Sequence, residues 1–170
     1  FNITGDKPNT GTAITAMYCG NNPATDIIIR DNLIHGMIAG FNSWGSSNYC
    51  PVGTTYVATG LQITGNEFYD LGYTSMAQGY GVLIETLSNW TAAGNTHAAI
   101  IQGNTFSDIY DGGTEMATRG FGVGFVGSVA NALVSENDFS SVSIGVALQG
   151  TDVSDTKIEY NSFLNTGGIG

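Results

Sequence analysis

The chain contains the stretch Leu61-Gln62-Ile63-Thr64-Gly65-Asn66-Glu67-Phe68-Tyr69-Asp70-Leu71, and shorter versions of it return four more times. Each version is built around one asparagine, and these asparagines are Asn32, Asn66, Asn104, Asn137 and Asn161. Successive asparagines are 34, 38, 33 and 24 residues apart. Imperfect repeats of this length are typical of a solenoid whose turns carry loops of variable length, and not of one globular wrap.

Apolar side chains fall into fixed columns when the repeats are aligned on the asparagine. Three residues before it stand Ile29, Ile63, Ile101, Val134 and Ile158. Two residues after it stand Ile34, Phe68, Phe106, Phe139 and Phe163, and five after it stand Met37, Leu71, Ile109, Val142 and Thr166. Mostly polar residues flank these columns, so the pattern predicts strands whose side chains alternate inward and outward. We expect the asparagine to form the bend between two strands, because asparagine tolerates left-handed backbone and its amide can hydrogen-bond to the asparagine above.

A second strand signal follows each first one and begins with glycine. It reads Gly40-Phe41-Asn42-Ser43, Gly81-Val82-Leu83-Ile84, Gly122-Val123-Gly124-Phe125, Gly145-Val146-Ala147-Leu148 and Gly168-Ile169-Gly170. The segment Gly11-Thr12-Ala13-Ile14 looks like the same element of an earlier turn, whose first half lies near Phe1-Asn2-Ile3. The sequence therefore predicts about six turns, here called rungs.

The Ile-x-x-Asn-x-Phe unit followed by a Gly-Val or Gly-Ile strand resembles the repeats of the pectate-lyase-like superfamily. This resemblance covers nearly the whole chain and implies one all-β domain over residues 1–170, a right-handed, single-stranded parallel β-helix with loop insertions. It also implies a secreted or surface-exposed protein that handles polysaccharide, although the motif specifies stacked strands and no activity. An antiparallel β-sandwich would not require the same residue type at the same offset from each asparagine.

Composition excludes some classes of function. The 170 residues include 25 glycines and carry a formal net charge of −10, and 11% of them are charged. The cations are Lys7, Arg30, Arg119 and Lys157, so we expect no nucleic-acid partner, because no basic patch is available to neutralise phosphates. No apolar run approaches the roughly 18 residues of a membrane span, so we expect no membrane insertion.

The two cysteines occupy nearly corresponding positions on neighbouring rungs. Cys19 follows Gly11, and Cys50 follows Gly40 at a similar distance. We predict a disulfide between them, worth on the order of 3 to 4 kcal/mol by chain entropy, in an extracellular protein. Two free buried thiols are the alternative, and neither cysteine has a close Cys or His partner that would indicate a metal site.

Three loop insertions carry aromatic side chains that we interpret as candidate binding residues. In solenoids, insertions tend to project from one face and form the binding surface. Their rings could stack on sugars, or cover the flank of the helix, or contact another subunit. The candidates are Trp44, Tyr49, Tyr56, Tyr73, Tyr80 and Tyr110.

The best local match to a catalytic site consists of Asp108, Asp111, Glu115 and Arg119, within one insertion. The resemblance implies acidic calcium ligands with an Arg or Lys base, so calcium would be the cofactor of an enzyme; a non-catalytic protein needs none. The alternative is a solvated acidic loop with an internal salt bridge. We predict no aspartate pair at one offset from the asparagine on adjacent rungs. Sequons at Asn2 and Asn89 are candidate glycosylation sites.

Two functions remain open at this stage. The first is a non-catalytic extracellular module, structural or adhesive, that self-associates through its rung ends or side faces and has polysaccharide as a further partner. This function is suggested by the strand edges at the two ends of a solenoid, because the sequence contains no amphipathic helical pattern that could cover them. The second is a polysaccharide lyase, epimerase or hydrolase, or a fragment of one, with its site in the insertion after Asp108.

Overall fold

The computed structural model describes residues 1–5, 11–17, 24–44, 58–72, 79–86, 99–109, 120–128, 131–152 and 155–165. Every regular element in this part of the chain is a β-strand. The strands are β1 (Asn2–Thr4), β2 (Thr12–Met17), β3 (Ala24–Thr25), β4 (Ile28–Arg30), β5 (Leu33–His35), β6 (Ala39–Trp44), β7 (Ala58–Thr59), β8 (Leu61–Thr64), β9 (Glu67–Leu71), β10 (Tyr80–Thr86), β11 (Ala99–Gln102), β12 (Thr105–Ile109), β13 (Phe121–Ser128), β14 (Ala132–Ser135), β15 (Asp138–Val142), β16 (Ile144–Asp152), β17 (Lys157–Glu159) and β18 (Ser162–Leu164).

The strands form three large parallel sheets through which the chain passes in turn. Sheet 1 has the order β4-β8-β11-β14-β17, sheet 2 the order β1-β5-β9-β12-β15-β18, and sheet 3 the order β2-β6-β10-β13-β16. A short additional pair joins β3 to β7. Every strand pairs in parallel with its counterpart one rung away. The predicted all-β parallel β-helix is confirmed, while its handedness and its six rungs stay predictions.

The four strands that contain Gly-Phe or Gly-Val begin one residue before the glycine and end one to four residues beyond the predicted segment. Sheet 3 contains all four described segments that begin Gly-Phe or Gly-Val, and β2 joins it as the predicted element of an earlier rung. The register of β2 differs from the sequence alignment. Thr12 pairs with Ala39, which places Ala13 and not Gly11 opposite Gly40. β1 pairs with β5, as the prediction of a first half near Phe1-Asn2-Ile3 required.

The apolar columns form the core. The third residue before each asparagine is buried in four of the repeats and half-buried at Ile158. The phenylalanines of sheet 2 stack face to face, with centroid distances of 5.0 Å for Phe68–Phe106, 4.9 Å for Phe106–Phe139 and 5.0 Å for Phe139–Phe163. Such ring pairs contribute about 0.5 to 1.5 kcal/mol each beyond the area that they bury.

The glycines of sheet 3 make room for this stack. A Cβ atom at Gly81 would overlap the Phe106 ring and approach the Gly122 carbonyl oxygen at 2.7 Å. Gly40, Gly122 and Gly145 face the phenylalanine of the following rung in the same way. The glycine column and the phenylalanine column are therefore two halves of one packing arrangement.

The bends follow three further columns of left-handed backbone. Positive φ occurs one residue before the asparagine, as at Asp31 and Glu136, with φ of 55° and 56°. It occurs again four residues after the asparagine, as at Asp70 and Asp108, and six residues before it, as at Asp26. The expectation that the asparagine itself is left-handed was wrong, because positive φ falls on its neighbour. Left-handed backbone costs non-glycine residues roughly 1 to 2 kcal/mol, which favours the Gly, Asp and Asn found at many of these positions.

Candidate functional site

The asparagine column forms a continuous hydrogen-bonded ladder inside the bends. The backbone N–H and the Nδ2 of Asn66 both donate to Oδ1 of Asn104, at 2.9 and 3.0 Å. Nδ2 of Asn66 also donates to the carbonyl oxygen of Ile29 in the preceding rung at 3.0 Å. Asn104 repeats this arrangement with Asn137 and Ile63. These side chains are buried and engaged with backbone, so the column holds rungs together and offers no ligand site.

The predicted catalytic group lies only partly within the described residues. Asp108 is exposed, near the end of β12, in left-handed backbone with φ of 50°. Asp111, Glu115 and Arg119 lie outside the described residues. The position of Asp108 in a bend column supplies a structural reason for an aspartate there, since Asp tolerates this conformation.

The predicted binding aromatics are described only at Tyr80 and, for its backbone, at Trp44. Tyr80 begins β10 and is half-buried, and its hydroxyl accepts a hydrogen bond from Nδ2 of Asn42 at 3.4 Å. Trp44 ends β6 and pairs with Met17 and Glu85. The other predicted aromatics, the two cysteines and one sequon fall outside the described residues; these are Tyr49, Tyr56, Tyr73, Tyr110, Cys19, Cys50 and Asn89.

The other sequon lies on an edge strand of sheet 2. Asn2 is exposed in β1, and its Oδ1 lies 3.0 Å from Nε2 of His35. Thr4 is exposed, and its hydroxyl donates to the carbonyl oxygen of Gly5 at 3.4 Å. Asn2 is thus accessible, and its use as a glycosylation site stays a prediction.

An aspartate pair on adjacent rungs corrects one expectation from the sequence. Asp70 and Asp108 both stand four residues after their asparagine, and the strand pairing on both sides keeps them in register. Adjacent strands are about 4.8 Å apart, so the two backbone positions are that close. Both aspartates stand at the same offset in the amino-acid sequence, so the prediction that no such pair exists was wrong. Sequence reasoning therefore missed Asp70.

A second candidate site is the outward face of sheet 2 around Tyr69, here called the Tyr69 face. It is formed by alternate residues of three strands and the bends that follow: Glu67, Tyr69, Asp70, Thr105, Ser107, Asp108, Asp138 and Ser140. The Tyr69 ring stacks on His35, with centroids 4.6 Å apart and planes at 10°. On its other side Tyr69 pairs in register with Ser107, which pairs with Ser140. Along this column, two aromatic rings are therefore followed by two serine side chains.

The two end rungs of the described structure expose apolar side chains. At one end Phe1 is 97% and Ile28 54% exposed, beside an open cavity of about 540 Å³ that is also lined by Ile3, Ile14 and Ile29. At the other end Tyr160 is 81% and Leu164 62% exposed, and the partly buried ring of Phe163 ends the phenylalanine stack.

No protein-family model matches the chain, and no curated protein or solved structure is similar to it at a significant level. Among the described residues, no group of three or more His, Cys, Asp and Glu side chains is placed to hold a metal ion. The same part of the chain contains no helix with the length and apolar character needed to cross a membrane.

Proposed function

We propose that the chain is a non-catalytic extracellular structural module that assembles by stacking the end rung of one copy on the opposite end rung of another. The observation that carries the proposal is the match between the two ends. Among the described residues, strands β1, β2 and β4 are the last members of their sheets at one end, and β18, β16 and β17 are the last members at the other. All run parallel, so a second copy placed head to tail would continue all three sheets.

Packing at the ends supports this arrangement. One end offers an open cavity lined by Phe1 and four isoleucines together with Arg30 and Asn32, and the opposite end presents Tyr160, Leu164 and the half-buried Phe163 ring. Burying a large apolar side chain contributes about 1.5 to 3 kcal/mol. Because the two surfaces differ, the contact is heterologous and generates an open filament rather than a closed dimer.

The backbone at the ends carries further hydrogen-bonding groups. Within the described residues, β18 is paired on one side by β15, and β1 is paired on one side by β5. Unpaired edges of this kind are templates for strand addition from another chain. The asparagine ladder has one polarity, since Asn32, Asn66, Asn104 and Asn137 each donate to the asparagine of the following rung. Stacking in one direction would preserve this polarity.

The extracellular location is part of the proposal. It rests on the resemblance of the repeats to pectate-lyase-like proteins and on the predicted disulfide between Cys19 and Cys50. The intact mass of the secreted chain under non-reducing conditions, with and without alkylation, would test the disulfide. Alkylation of both thiols without prior reduction would contradict it.

Assembly is tested by light scattering and electron microscopy of the purified chain over a range of concentrations. We expect filaments or head-to-tail oligomers, and we expect Ile28→Asp and Leu164→Asp, one at each end, to be monomeric. Mixing the two variants should yield dimers, because each retains the intact surface that the other lacks. Gln62→Asp, on the side of sheet 1, is the matched control and should assemble normally. A monomeric wild-type chain at every concentration would contradict the proposal.

One observation favours a second candidate function, a polysaccharide hydrolase. Retaining glycosidases hold two carboxyl groups about 5 to 5.5 Å apart. Asp70 and Asp108 stand in register on adjacent strands, whose backbones are about 4.8 Å apart. Glycan cleavage with calcium supplied, lost in both Asp70→Asn and Asp108→Asn, would support the enzyme over the structural module. Cleavage that persists in both variants would exclude this pair.

A further inference from the structure

The Tyr69 face combines an aromatic ring with a row of hydroxyls on a rigid support. Tyr69 projects from β9, whose neighbouring residues Phe68 and Leu71 are fully buried in the core. The stacking contact with His35 supports one face of the Tyr69 ring, at a centroid distance of 4.6 Å. The platform is therefore held in place before any ligand arrives, which lowers the entropic cost of binding.

The next residues in the column carry short side chains. Ser107 and Ser140 follow Tyr69 in register on β12 and β15, and both are half-buried. A serine side chain is much shorter than a tyrosine side chain, so the Tyr69 ring projects further from the sheet than the two hydroxyl groups that follow it in the column. This arrangement suits a ligand that has an apolar flat face and polar edges, and sugar rings have both.

Charge selects among such ligands. Glu67, Asp108 and Asp138 are exposed and Asp70 is half-buried, and these residues occupy the columns on both sides of the serines. None of the six strands of sheet 2 contains a lysine or an arginine. A shallow hollow of about 380 Å³ adjoins Glu67 and is also lined by Asp31. The local potential therefore repels uronate and sulfated glycans and attracts cations.

We propose that the Tyr69 face binds a glycan whose sugars carry free amino groups, with one sugar stacked on the Tyr69 ring. The ammonium groups of neighbouring sugars lie against Asp70, Asp108 and Asp138, and the serine hydroxyls bond to the sugar hydroxyls. This inference goes beyond the proposed assembly, because it uses the side of the helix and not its ends.

A basic peptide has the same charge but fits the face less well. Extended peptides gain much of their affinity by pairing with the backbone of an exposed strand edge. The backbone groups of β9 and β12 are already paired with strands on both sides, so the face offers only side chains. Ring stacking and hydroxyl bonds therefore favour the glycan.

The proposal is tested by calorimetry with a glucosamine hexamer at low ionic strength. We expect binding to the wild-type chain, and at least about tenfold weaker binding to Tyr69→Leu, which removes the ring but keeps an apolar side chain. Tyr69→Phe should bind within about twofold of wild type, because the stacking face is retained. Ile100→Ala is the matched control, since it removes a half-buried apolar side chain of sheet 1, away from the Tyr69 face and from both ends, and its affinity should not change.

Two further arms test the role of charge. Asp70→Asn combined with Asp108→Asn should weaken binding about tenfold and flatten its salt dependence. The fully N-acetylated hexamer and a galacturonate hexamer should bind much more weakly than the glucosamine hexamer. Equal binding of either would overturn the assignment of a cationic glycan.

Other results would also overturn the inference. These are no binding by the wild-type chain, equal affinities of Tyr69→Leu and Ile100→Ala, or an equally tight complex with a lysine-rich peptide. Circular dichroism confirms that each variant is folded. End-to-end assembly is tested with different variants, Ile28→Asp and Leu164→Asp. Failure of the glycan inference therefore leaves the assembly result unchanged, and failure of assembly leaves the glycan result unchanged.

Discussion

Two ring stacks lie on opposite faces of sheet 2 and differ in length. Inside, four phenylalanines from Phe68 to Phe163 stack at 4.9 to 5.0 Å with planes within 6°. Outside, His35 and Tyr69 stack at 4.6 Å, and the column continues as Ser107. The backbone that carries both stacks is the same, so strand geometry alone does not select their residues. Inward columns of apolar side chains hold the rungs together, whereas an outward column is not constrained by core packing and can change residue type from rung to rung.

The largest expected effect comes from closing the space that the inner stack needs. Gly81→Ala places a methyl group against the Phe106 ring and the Gly122 carbonyl, and both are fixed in the core. We expect a loss of about 4 kcal/mol or more in the free energy of unfolding, measured by chemical denaturation. Gly103→Ala is the control, because its Cβ meets nothing within 4 Å and only its φ of +65° opposes the change. That control should cost about 1 kcal/mol. Similar losses at both positions would show that the glycine column is not required for packing.

The next effect concerns the asparagine ladder beside the inner stack. Asn104→Ala removes the donor to the Ile63 carbonyl and the acceptor for the backbone N–H of Asn66, leaving buried groups unpaired. Each such group costs about 1 to 3 kcal/mol, so we expect a loss of roughly 2 to 6 kcal/mol.

Asn32→Ala is the matched control for the ladder. Asn32 is half-buried, and its own Nδ2 donates to Asn66 and to Arg30. Water can replace these partners at least in part, so the loss should be about 1 kcal/mol. A larger loss for Asn32→Ala than for Asn104→Ala would contradict the view that burial sets the strength of the ladder.

The smallest expected effect lies on the outer face. Tyr69→Leu removes the ring contact with His35 but no core packing, so it should cost about 0.5 to 1.5 kcal/mol of stability. Thermal and chemical denaturation would measure it. A loss as large as that of Asn104→Ala would mean that Tyr69 is a structural residue, and would remove the reason for treating its face as a binding surface.

Much of the fold could be predicted because equivalent residues make the same contact in successive repeats. The phenylalanines and the β-branched residues each face their equivalents one rung away, so their residue types recur at one offset from the asparagine. The glycine near the start of each sheet 3 strand predicts a strand, but the sequence does not show why glycine is needed there. That reason is the ring of the following rung, which is far away in sequence.

The site could be predicted much less well, because its residues do not repeat. His35, Tyr69 and Ser107 occupy one column yet differ in type, so an alignment that searches for sameness passes over them. The sequence instead predicts binding by aromatic residues in the insertions, and most of these lie outside the described residues. Asp70 and Asp108 do share an offset, contrary to the prediction, and aspartate at this offset also suits the left-handed bends.

The all-β solenoid, the inward columns and the asparagine bends can be inferred from the amino-acid sequence, because burial and hydrogen bonding impose similar residues at each rung. The folded structure is needed to show which residue of each bend is left-handed, which phenylalanine each glycine accommodates, and which outward side chains become neighbours. Those relations depend on the register between rungs, where loops of different length separate residues that lie one strand apart. The Tyr69 face exists only in that register.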